Sequence, residues 1–313
     1  MYHSYLRGKQ YELLAIRRSV EKIAQAKIVP IIEPVRDSLR DITKCVQVLR
    51  DNKANYIVVA NPQCGDLANN QVGSEKILDS LVSSDPEIEL GFIVDEGTSV
   101  SQVRSFVERF KGQLFSLIHY GRFDDIDGLQ ELLDSEASFN KHIFIEAENS
   151  NSYRKRFTSA RKVLIRDSFK RKAPNAEYGK TLEEFFSDLH SSYEELGYMG
   201  YGDFSVIGDH YSEGGGQAIT AVLHVTYDNV DEDIYIRHFL SDPRTVPDEV
   251  PILLEEALER LEEFLLDNPE ILKWSTSCAE LMDIYKGGCQ TNLAVMKKLT
   301  MSHHFELMHK ISD

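Results

Sequence analysis

The sequence predicts an α/β fold, a TIM-like (β/α)8 barrel with additional C-terminal helices. Three observations support it: eight short apolar runs, helical patterns between most of them, and polar residues at the ends of the runs. Strands of a parallel sheet are covered on both faces, so they form continuous apolar runs. A count of eight favours a closed barrel, and an open α/β sheet with an antiparallel edge is the alternative.

The eight runs are rich in Ile, Val and Phe. A ninth run follows the eighth across the segment DNVDED, whose turn-forming residues suggest a hairpin. The runs occupy 27–34, 55–62, 88–97, 114–121, 141–149, 161–168, 203–210 and 219–227, and the ninth occupies 234–242.

Helical spacing lies between most of these runs. The segments Ser38 to Asp51 and Ser99 to Lys111 each begin with a serine that can cap exposed amides. The connection between the seventh and eighth runs is too short for a helix, and leucines on one face of 251–266 predict an amphipathic helix. We therefore expect one barrel domain over 1–313, with an N-terminal helix over 1–26 and a C-terminal helical extension over 249–313.

Composition excludes several classes of protein. The 313 residues are 42% hydrophobic and 27% charged, as in an ordinary globular protein. The formal net charge of -16 repels polyanions and argues against sequence-independent nucleic-acid binding. No apolar stretch is long enough to span a bilayer, and no CxxC pair occurs. We expect a cytoplasmic protein without a membrane partner, whose four cysteines are reduced.

Polar residues just after the strands are the catalytic candidates, because a barrel presents them at its C-terminal rim. One interpretation is a metal-assisted or general acid/base hydrolase, with carboxylates holding a divalent cation and a histidine moving protons. The alternative is that each carboxylate caps a helix or pairs with an arginine. No HExxH motif identifies a metal. The candidates are Glu33, Asp95, His119, Glu146, Asp209 and His210.

A second set of residues could bind phosphate. Gly214, Gly215 and Gly216 follow the seventh run, where many barrels bind phosphate through backbone amides, and Lys9 or Arg166 could add a cation. The glycines could instead serve only a tight connection. The sequence lacks a Walker motif, GxSxG and GxGxxG, which counts against P-loop nucleotide hydrolysis, the α/β-hydrolase mechanism and standard dinucleotide binding.

Several blocks of sequence resemble the phage and bacterial beta-protein family. They are YLRGKQYELLAI, with Lys9 and Glu12 in a K-x-x-E arrangement, IVPIIEP with Glu33, GYGDFSVIGDHYSEGGG, AVLHVTY, HFLSD and KKLTMSHHFELM. The resemblance implies a single barrel-like protein linked to conflict with phages, and it brings no established catalytic residues. The matching positions are Lys9, Glu12, Glu33, Asp209, Gly215, Gly216, His224, His238, Asp242 and His304.

Two functional hypotheses follow. The first is a hydrolase or lyase that acts on a small phosphorylated or nucleotide-like substrate at the C-terminal rim. The second is a non-catalytic interaction or regulatory subunit with a protein partner, in a phage-defence or mobile-element system. A fold that supports so many chemistries does not choose between them.

Overall fold

A computed structural model describes residues 1–158, 161–214, 219–229 and 231–312. The chain divides into two compact units, each assembled from separate segments. Unit 1 comprises Met1–Lys9, Lys27–Asp167 and Leu189–Phe204, and unit 2 comprises Gln10–Ala26, Ser168–Asp188 and Ser205–Asp313.

Strands and helices alternate along most of unit 1. In chain order, the strands of both units among the described residues are β1 (Tyr2–Leu6), β2 (Val29–Ile32), β3 (Ile57–Val59), β4 (Glu89–Val94), β5 (Phe115–His119), β6 (Phe139–Ile145), β7 (Lys162–Arg166), β8 (Glu183–Ser187), β9 (Gly200–Asp203), β10 (Val222–Asp228) and β11 (Ile234–Leu240). The helices are α1 (Gln10–Arg18), α2 (Val20–Gln25), α3 (Leu39–Asp51), α4 (Gln71–Ser84), α5 (Val100–Arg109), α6 (Ile126–Asp134), α7 (Asn151–Arg154), α8 (Leu189–Ser192), α9 (Val250–Asp267), α10 (Ile271–Trp274), α11 (Thr276–Lys286) and α12 (Leu293–Ser312).

Unit 1 contains a closed barrel of eight parallel strands, so the predicted TIM-like fold is confirmed. Strands β1 to β7 pair in chain order, and β9 closes the barrel between β7 and β1. Side chains from around the barrel meet in one buried cluster, as expected where alternate residues point inward. The members are Tyr5, Val29, Ile31, Ile57, Val59, Ile93, Ile118, Ile143, Ile145, Val163, Ile165 and Phe204.

Unit 2 is built on a three-stranded antiparallel sheet in the order β10-β11-β8. Apolar residues of the sheet, such as Leu223, Val225 and Phe239, share one buried cluster with leucines of α9, α11 and α12. The predicted amphipathic helix is α9, whose buried residues include Leu254, Leu258 and Leu261. The C-terminal helices therefore have their own core with the sheet.

Six of the predicted strand positions coincide with barrel strands, and the other two do not. The barrel begins with β1, where a helix over 1–26 was expected, and it ends with β9, which shares only Asp203 with the predicted run 203–210. The run 219–227 forms β10, which pairs with β11 as the predicted hairpin but lies in the sheet of unit 2. The two predictions for the run 203–210 and for the run 219–227 as barrel strands are wrong.

The two missed barrel strands, β1 and β9, were missed for a physical reason. Strand β1, YHSYL, carries His and Ser within its run, and β9, GYGD, has glycines in place of apolar residues. At Gly202 an added Cβ would lie 1.8 Å from the carbonyl oxygen of His3, so only glycine permits this approach of β9 to β1. Neither strand therefore shows the continuous apolar run of a parallel sheet.

No helix among the described residues combines the length and the apolar character required to cross a bilayer. Three of the four cysteines, Cys45, Cys278 and Cys289, are buried thiols, and burial raises the pKa of the Cys278 thiol to about 12.

Candidate functional site

An ion pair lies at the C-terminal mouth of the barrel. Arg7 follows β1 and Glu33 follows β2, and the amide of Glu33 extends the pairing by donating to the carbonyl of Leu6 at 2.9 Å. The Arg7 Nε lies 3.3 Å from Glu33 Oε2, and both side chains are buried. Gly8 keeps the two strand ends close, because its φ is +61° and an added Cβ would lie 2.8 Å from the carbonyl oxygen of Glu33.

Aromatic rings surround the Arg7 guanidinium. Its Cζ lies 4.9 Å from the ring centre of Tyr5, 5.9 Å from that of Tyr120 and 5.5 Å from that of Phe204. Its Nη2 also donates a hydrogen bond to the Tyr120 hydroxyl at 3.0 Å. An arginine held by rings and a carboxylate keeps one orientation, which is the requirement for recognising a planar anionic group.

Glu33 has several partners besides Arg7. Its Oε2 accepts a hydrogen bond from the Tyr5 hydroxyl at 2.9 Å, and its Oε1 accepts one from the backbone amide of Gln63 at 2.6 Å. Burial and the neighbouring carboxylate raise the pKa of Tyr5 well above its usual value, so this hydroxyl keeps its proton. The contacts hold Glu33 in place and fix the position of Arg7.

A second ion pair lies at the rim. Glu146 directly follows β6 and Arg166 ends β7, and Arg166 Nε lies 2.6 Å from Glu146 Oε2. The Arg166 Nη2 also donates to Glu146 Oε1 at 3.4 Å, which makes the contact two-pronged. Both side chains are partly exposed. Glu146 was a catalytic candidate and Arg166 was a phosphate-binding candidate, and the structure brings these two residues together.

Asp95 stabilises the turn after β4. Its Oδ1 accepts hydrogen bonds from the Gly97 amide at 2.9 Å and the Thr98 hydroxyl at 2.7 Å. This local pattern is typical of an aspartate in a turn. The carboxylate therefore stabilises a turn, whereas the helix that follows, α5, is capped by Ser99.

His119 lies away from the mouth. It follows the lumen residue Ile118 on β5, so its ring points to the opposite face, where it is fully buried. Its Nδ1 lies 2.7 Å from the Tyr153 hydroxyl and its Nε2 lies 2.8 Å from His142 Nδ1. Burial, with a smaller contribution from His142, lowers the pKa of His119 well below its usual value. The ring is neutral and enclosed in unit 1.

Asp209 and His210 belong to unit 2, after the short 3₁₀ helix Ser205–Ile207. Asp209 is partly exposed and His210 is exposed. In unit 1, separate partners bind the carboxylates of Glu33, Asp95 and Glu146. This differs from the single cluster that was expected of polar residues at the ends of barrel strands. Within the described parts of the chain, no group of three or more His, Cys, Asp or Glu side chains is arranged to hold a metal ion.

The predicted phosphate residues are divided between the units. Lys9 and Arg166 lie in unit 1, and Gly214 lies in unit 2 with a φ of +81° and open space around its Cβ position. Gly215 and Gly216 lie outside the described residues. The positive φ of Gly214 fits the conformational alternative for this glycine.

The histidines of the beta-protein pattern lie in unit 2. His224 and His238 are opposite each other on β10 and β11, and their Nδ1 atoms are 2.8 Å apart. His304 Nδ1 lies 2.9 Å from the Thr226 hydroxyl. Elsewhere in the pattern, Glu12 is buried on α1, and Asp242 pairs with Arg260.

Sequence reasoning missed three residues of the mouth: Arg7, Tyr5 and Tyr120. Arg7 is the first charged residue after β1, so the rule that selected Glu33 would have selected it had β1 been recognised as a strand. Tyr120 follows the predicted candidate His119 by one position, on the face that points inward. The strand register, which the sequence did not settle, decides between them.

Comparison with known proteins adds no family assignment. A scan against protein-family models and a search of curated proteins found no match to this chain.

Proposed function

We propose that the barrel binds a small phosphorylated or nucleotide-like anion at its C-terminal mouth, as the substrate of a hydrolase or lyase. The observation that carries this proposal is the Arg7 guanidinium, which is enclosed by Tyr5, Tyr120 and Phe204 at the end where barrel enzymes place their sites. Guanidinium and phosphate form charge-assisted hydrogen bonds of matching geometry.

The surroundings of Arg7 favour an anion at this position, which would share the guanidinium with Glu33. The Arg7 side chain is only 8% exposed, so its interaction with a phosphate would be weakly screened by solvent. The aromatic rings beside it offer apolar faces to a planar group such as a base. In this proposal Arg7 binds the anion, and the Tyr5 hydroxyl with the Glu33 carboxylate, 2.9 Å apart, is the neighbouring pair able to hold a proton.

The test is ligand-dependent thermal stability with inorganic phosphate, ribose 5-phosphate and AMP. We expect at least one phosphorylated compound to raise the Tm of the wild type, because a ligand that binds only the folded state stabilises it, by about 2.7 kcal/mol at a hundredfold excess over Kd. Arg7→Met should abolish the increase. Arg122→Met is the matched control, since Arg122 is an exposed arginine paired with Asp124.

Tyr120→Phe gives an independent measurement if Arg7→Met fails to fold. It removes the hydroxyl that accepts from Arg7 and keeps the ring, so the affinity should fall while the fold is retained. The proposal is wrong if no phosphorylated compound at millimolar concentration raises the Tm of the wild type. It is also wrong if folded Arg7→Met responds like the wild type.

A second candidate function is the interaction or regulatory subunit. It is favoured by apolar side chains that unit 2 exposes on and around α9, namely Val246, Ile252, Leu266 and Leu272. Sedimentation of the wild type and of Ile252→Glu with Leu266→Glu tests the simplest case, self-association. Association that the double variant removes would favour this candidate, and a monomer at all concentrations would count against it.

A further inference from the structure

A groove runs along the outside of the barrel between α4 and α5. Its volume is about 850 Å³, and all of its lining residues belong to unit 1. The volume falls in the range of pockets that bind small molecules. Neither Arg7 nor the rings around its guanidinium line the groove, and the residue it shares with the mouth is Gln63, whose backbone amide donates to Glu33.

Aromatic rings form part of the lining. Phe92 on β4 is partly exposed, although neighbouring residues of the same strand are buried. The ring centres of Phe92 and Phe106 are 4.6 Å apart, and those of Phe106 and Phe110 are 5.5 Å apart. Together with Leu67 and Leu78, these rings give the groove an apolar face. A partly exposed apolar face inside a concavity is typical of a ligand site.

Uncharged polar side chains provide most of the remaining lining. They come from the β3–α4 connection and from the first turns of both helices. Side chains of this kind carry both donors and acceptors, and some of them already bond within the protein, as the Asn61 amide does to the Ile93 backbone. Ser105 lies farther along α5 and is exposed. These residues are Asn61, Gln63, Asn69, Asn70, Gln71, Ser74, Ser101, Gln102 and Ser105.

The charged side chains of the groove neutralise each other. Among its described lining residues only Glu75 and Arg109 are charged, and Arg109 Nη1 lies 2.6 Å from Glu75 Oε1. Arg109 also pairs with Asp79 at 3.3 Å. An ionic ligand would have to compete with these contacts, whereas a neutral ligand leaves them intact.

We propose that the groove between α4 and α5 binds a neutral carbohydrate. A sugar ring has an apolar face that packs on the phenyl groups and a rim of hydroxyls that both donate and accept, as amide and serine side chains do. Selectivity follows from the same residues, because only a ligand with hydroxyls can use the donors and acceptors that the protein's own hydrogen bonds leave available.

Isothermal titration with maltotriose, cellotriose and chitotriose tests this site. We expect at least one neutral trisaccharide to bind the wild type, and glucose 6-phosphate and adenosine to bind at least tenfold more weakly. Ser105→Trp should lower the affinity for that sugar at least tenfold, because the indole would occupy the groove. Ser80→Trp is the matched control, since Ser80 is an exposed residue of α4 that does not line the groove.

A second variant reports on the apolar face directly. Phe92→Trp keeps an aromatic ring in the groove, and its fluorescence should change as the sugar binds. The proposal is overturned if none of the three trisaccharides binds the wild type at millimolar concentration, if folded Ser105→Trp binds as tightly as Ser80→Trp, or if adenosine or the sugar phosphate is preferred. Arg7→Met should retain sugar binding, so failure at the mouth is distinguishable from failure here.

Discussion

Unit 1 buries histidines beside cations, and unit 2 buries histidines beside both cations and carboxylates. Unit 1 buries His3 beside Lys141, and His142 beside Lys162, and burial followed by these cations lowers the pKa of each ring to about 3. Unit 2 buries His238 near Glu184. Burial lowers the pKa of His238, but the carboxylate opposes this effect and the value is about 4. Burial keeps the rings neutral in both units. Burial, followed by His238, Lys297 and Lys172, also lowers the pKa of His224 in unit 2, so only some histidines of unit 2 have a carboxylate that opposes the shift.

His303, also in unit 2, has a carboxylate that opposes the effect of burial, as His238 does. Burial lowers the pKa of His303 to about 4, while its hydrogen bond to the Thr226 carbonyl and the Glu306 carboxylate oppose the shift. His303 Nε2 lies 2.6 Å from that carbonyl oxygen, so this nitrogen carries the hydrogen. Its Nδ1 lies 2.7 Å from the Ser275 hydroxyl. The resulting Ser, His and Glu arrangement is completely enclosed, so it stabilises the core and has no access to a substrate.

The largest expected effect is a loss of stability in acid that both units share. The pKa of these histidines lies below the unfolded value of about 6.5, so the unfolded chain takes up protons first as the pH falls. Their stabilising contribution is complete above about pH 6.5 and is lost as the pH falls toward 4. We expect the free energy of unfolding to fall by about 1.4 kcal/mol per pH unit for each such histidine once the unfolded ring is charged.

Urea unfolding between pH 8 and pH 5 measures this slope. His142→Gln removes one titrating ring of unit 1 and keeps a side chain able to hydrogen-bond, so its slope should be about 1.4 kcal/mol per pH unit smaller below pH 6. His210→Gln is the control, because His210 is exposed. A free energy of unfolding that does not change between pH 7 and pH 5 would contradict the low pKa of these buried histidines.

Glu306→Gln should give the next largest effect, in unit 2. The Glu306 carboxylate accepts hydrogen bonds from the Ser275 hydroxyl at 2.8 Å, the Thr276 hydroxyl at 2.5 Å and the Ser277 amide at 3.1 Å, at the N-terminus of α11. The glutamine has one acceptor oxygen, so we expect a loss of about 3 kcal/mol in urea unfolding at pH 8. The exposed substitution Glu263→Gln should change stability by less than about 0.5 kcal/mol. Equal values for the two variants would remove the special role of this buried carboxylate.

The contrast between the units also explains what the sequence could predict. Strands β2 to β7 are buried on both faces, so their apolar runs identified them. The sheet of unit 2 collects segments that are far apart in the chain: β8 at Glu183–Ser187 pairs with β11 at Ile234–Leu240. No local periodicity encodes that pairing, and the run at β10 therefore suggested an eighth barrel strand.

The candidate site was predictable only in part, for a related reason. Glu33 and Arg166 follow from the rule that polar residues end barrel strands. Whether a residue points into the lumen depends on register, since adjacent residues of a strand point to opposite faces. A difference of one position along the chain therefore separates Tyr120, which contacts Arg7, from His119, which is buried beside Tyr153.

Tyr153→Phe measures the contribution of the two hydrogen bonds that the buried Tyr153 hydroxyl makes in unit 1. The Tyr153 hydroxyl accepts from the Phe123 amide at 3.0 Å and is placed to donate to His119 Nδ1 at 2.7 Å. Its removal leaves both buried groups unpaired, so we expect a loss of about 2 kcal/mol in the free energy of unfolding at pH 8. Tyr193→Phe, at a partly exposed tyrosine of the same unit, should cost less than about 0.5 kcal/mol. Similar losses in the two variants would show that the hydroxyl of Tyr153 has no special role.

The smallest effect is a shift in pKa within unit 2, and it tests the role of neighbouring charge directly. Burial sets the low pKa of His238, Glu184 raises it and Lys172 lowers it. Glu184 also pairs with Lys172, so Glu184→Gln removes the carboxylate and leaves the cation without that partner. Both changes disfavour a charged ring, and the pKa of His238 should fall below about 4.

The measurement is the ring ¹H and ¹³C chemical shift of His238 against pH. Glu183→Gln is the matched control, because Glu183 is the preceding residue on β8 and pairs with Arg237 instead. A midpoint for Glu184→Gln that is equal to or higher than that of Glu183→Gln would show that the Glu184 carboxylate does not raise the pKa of His238.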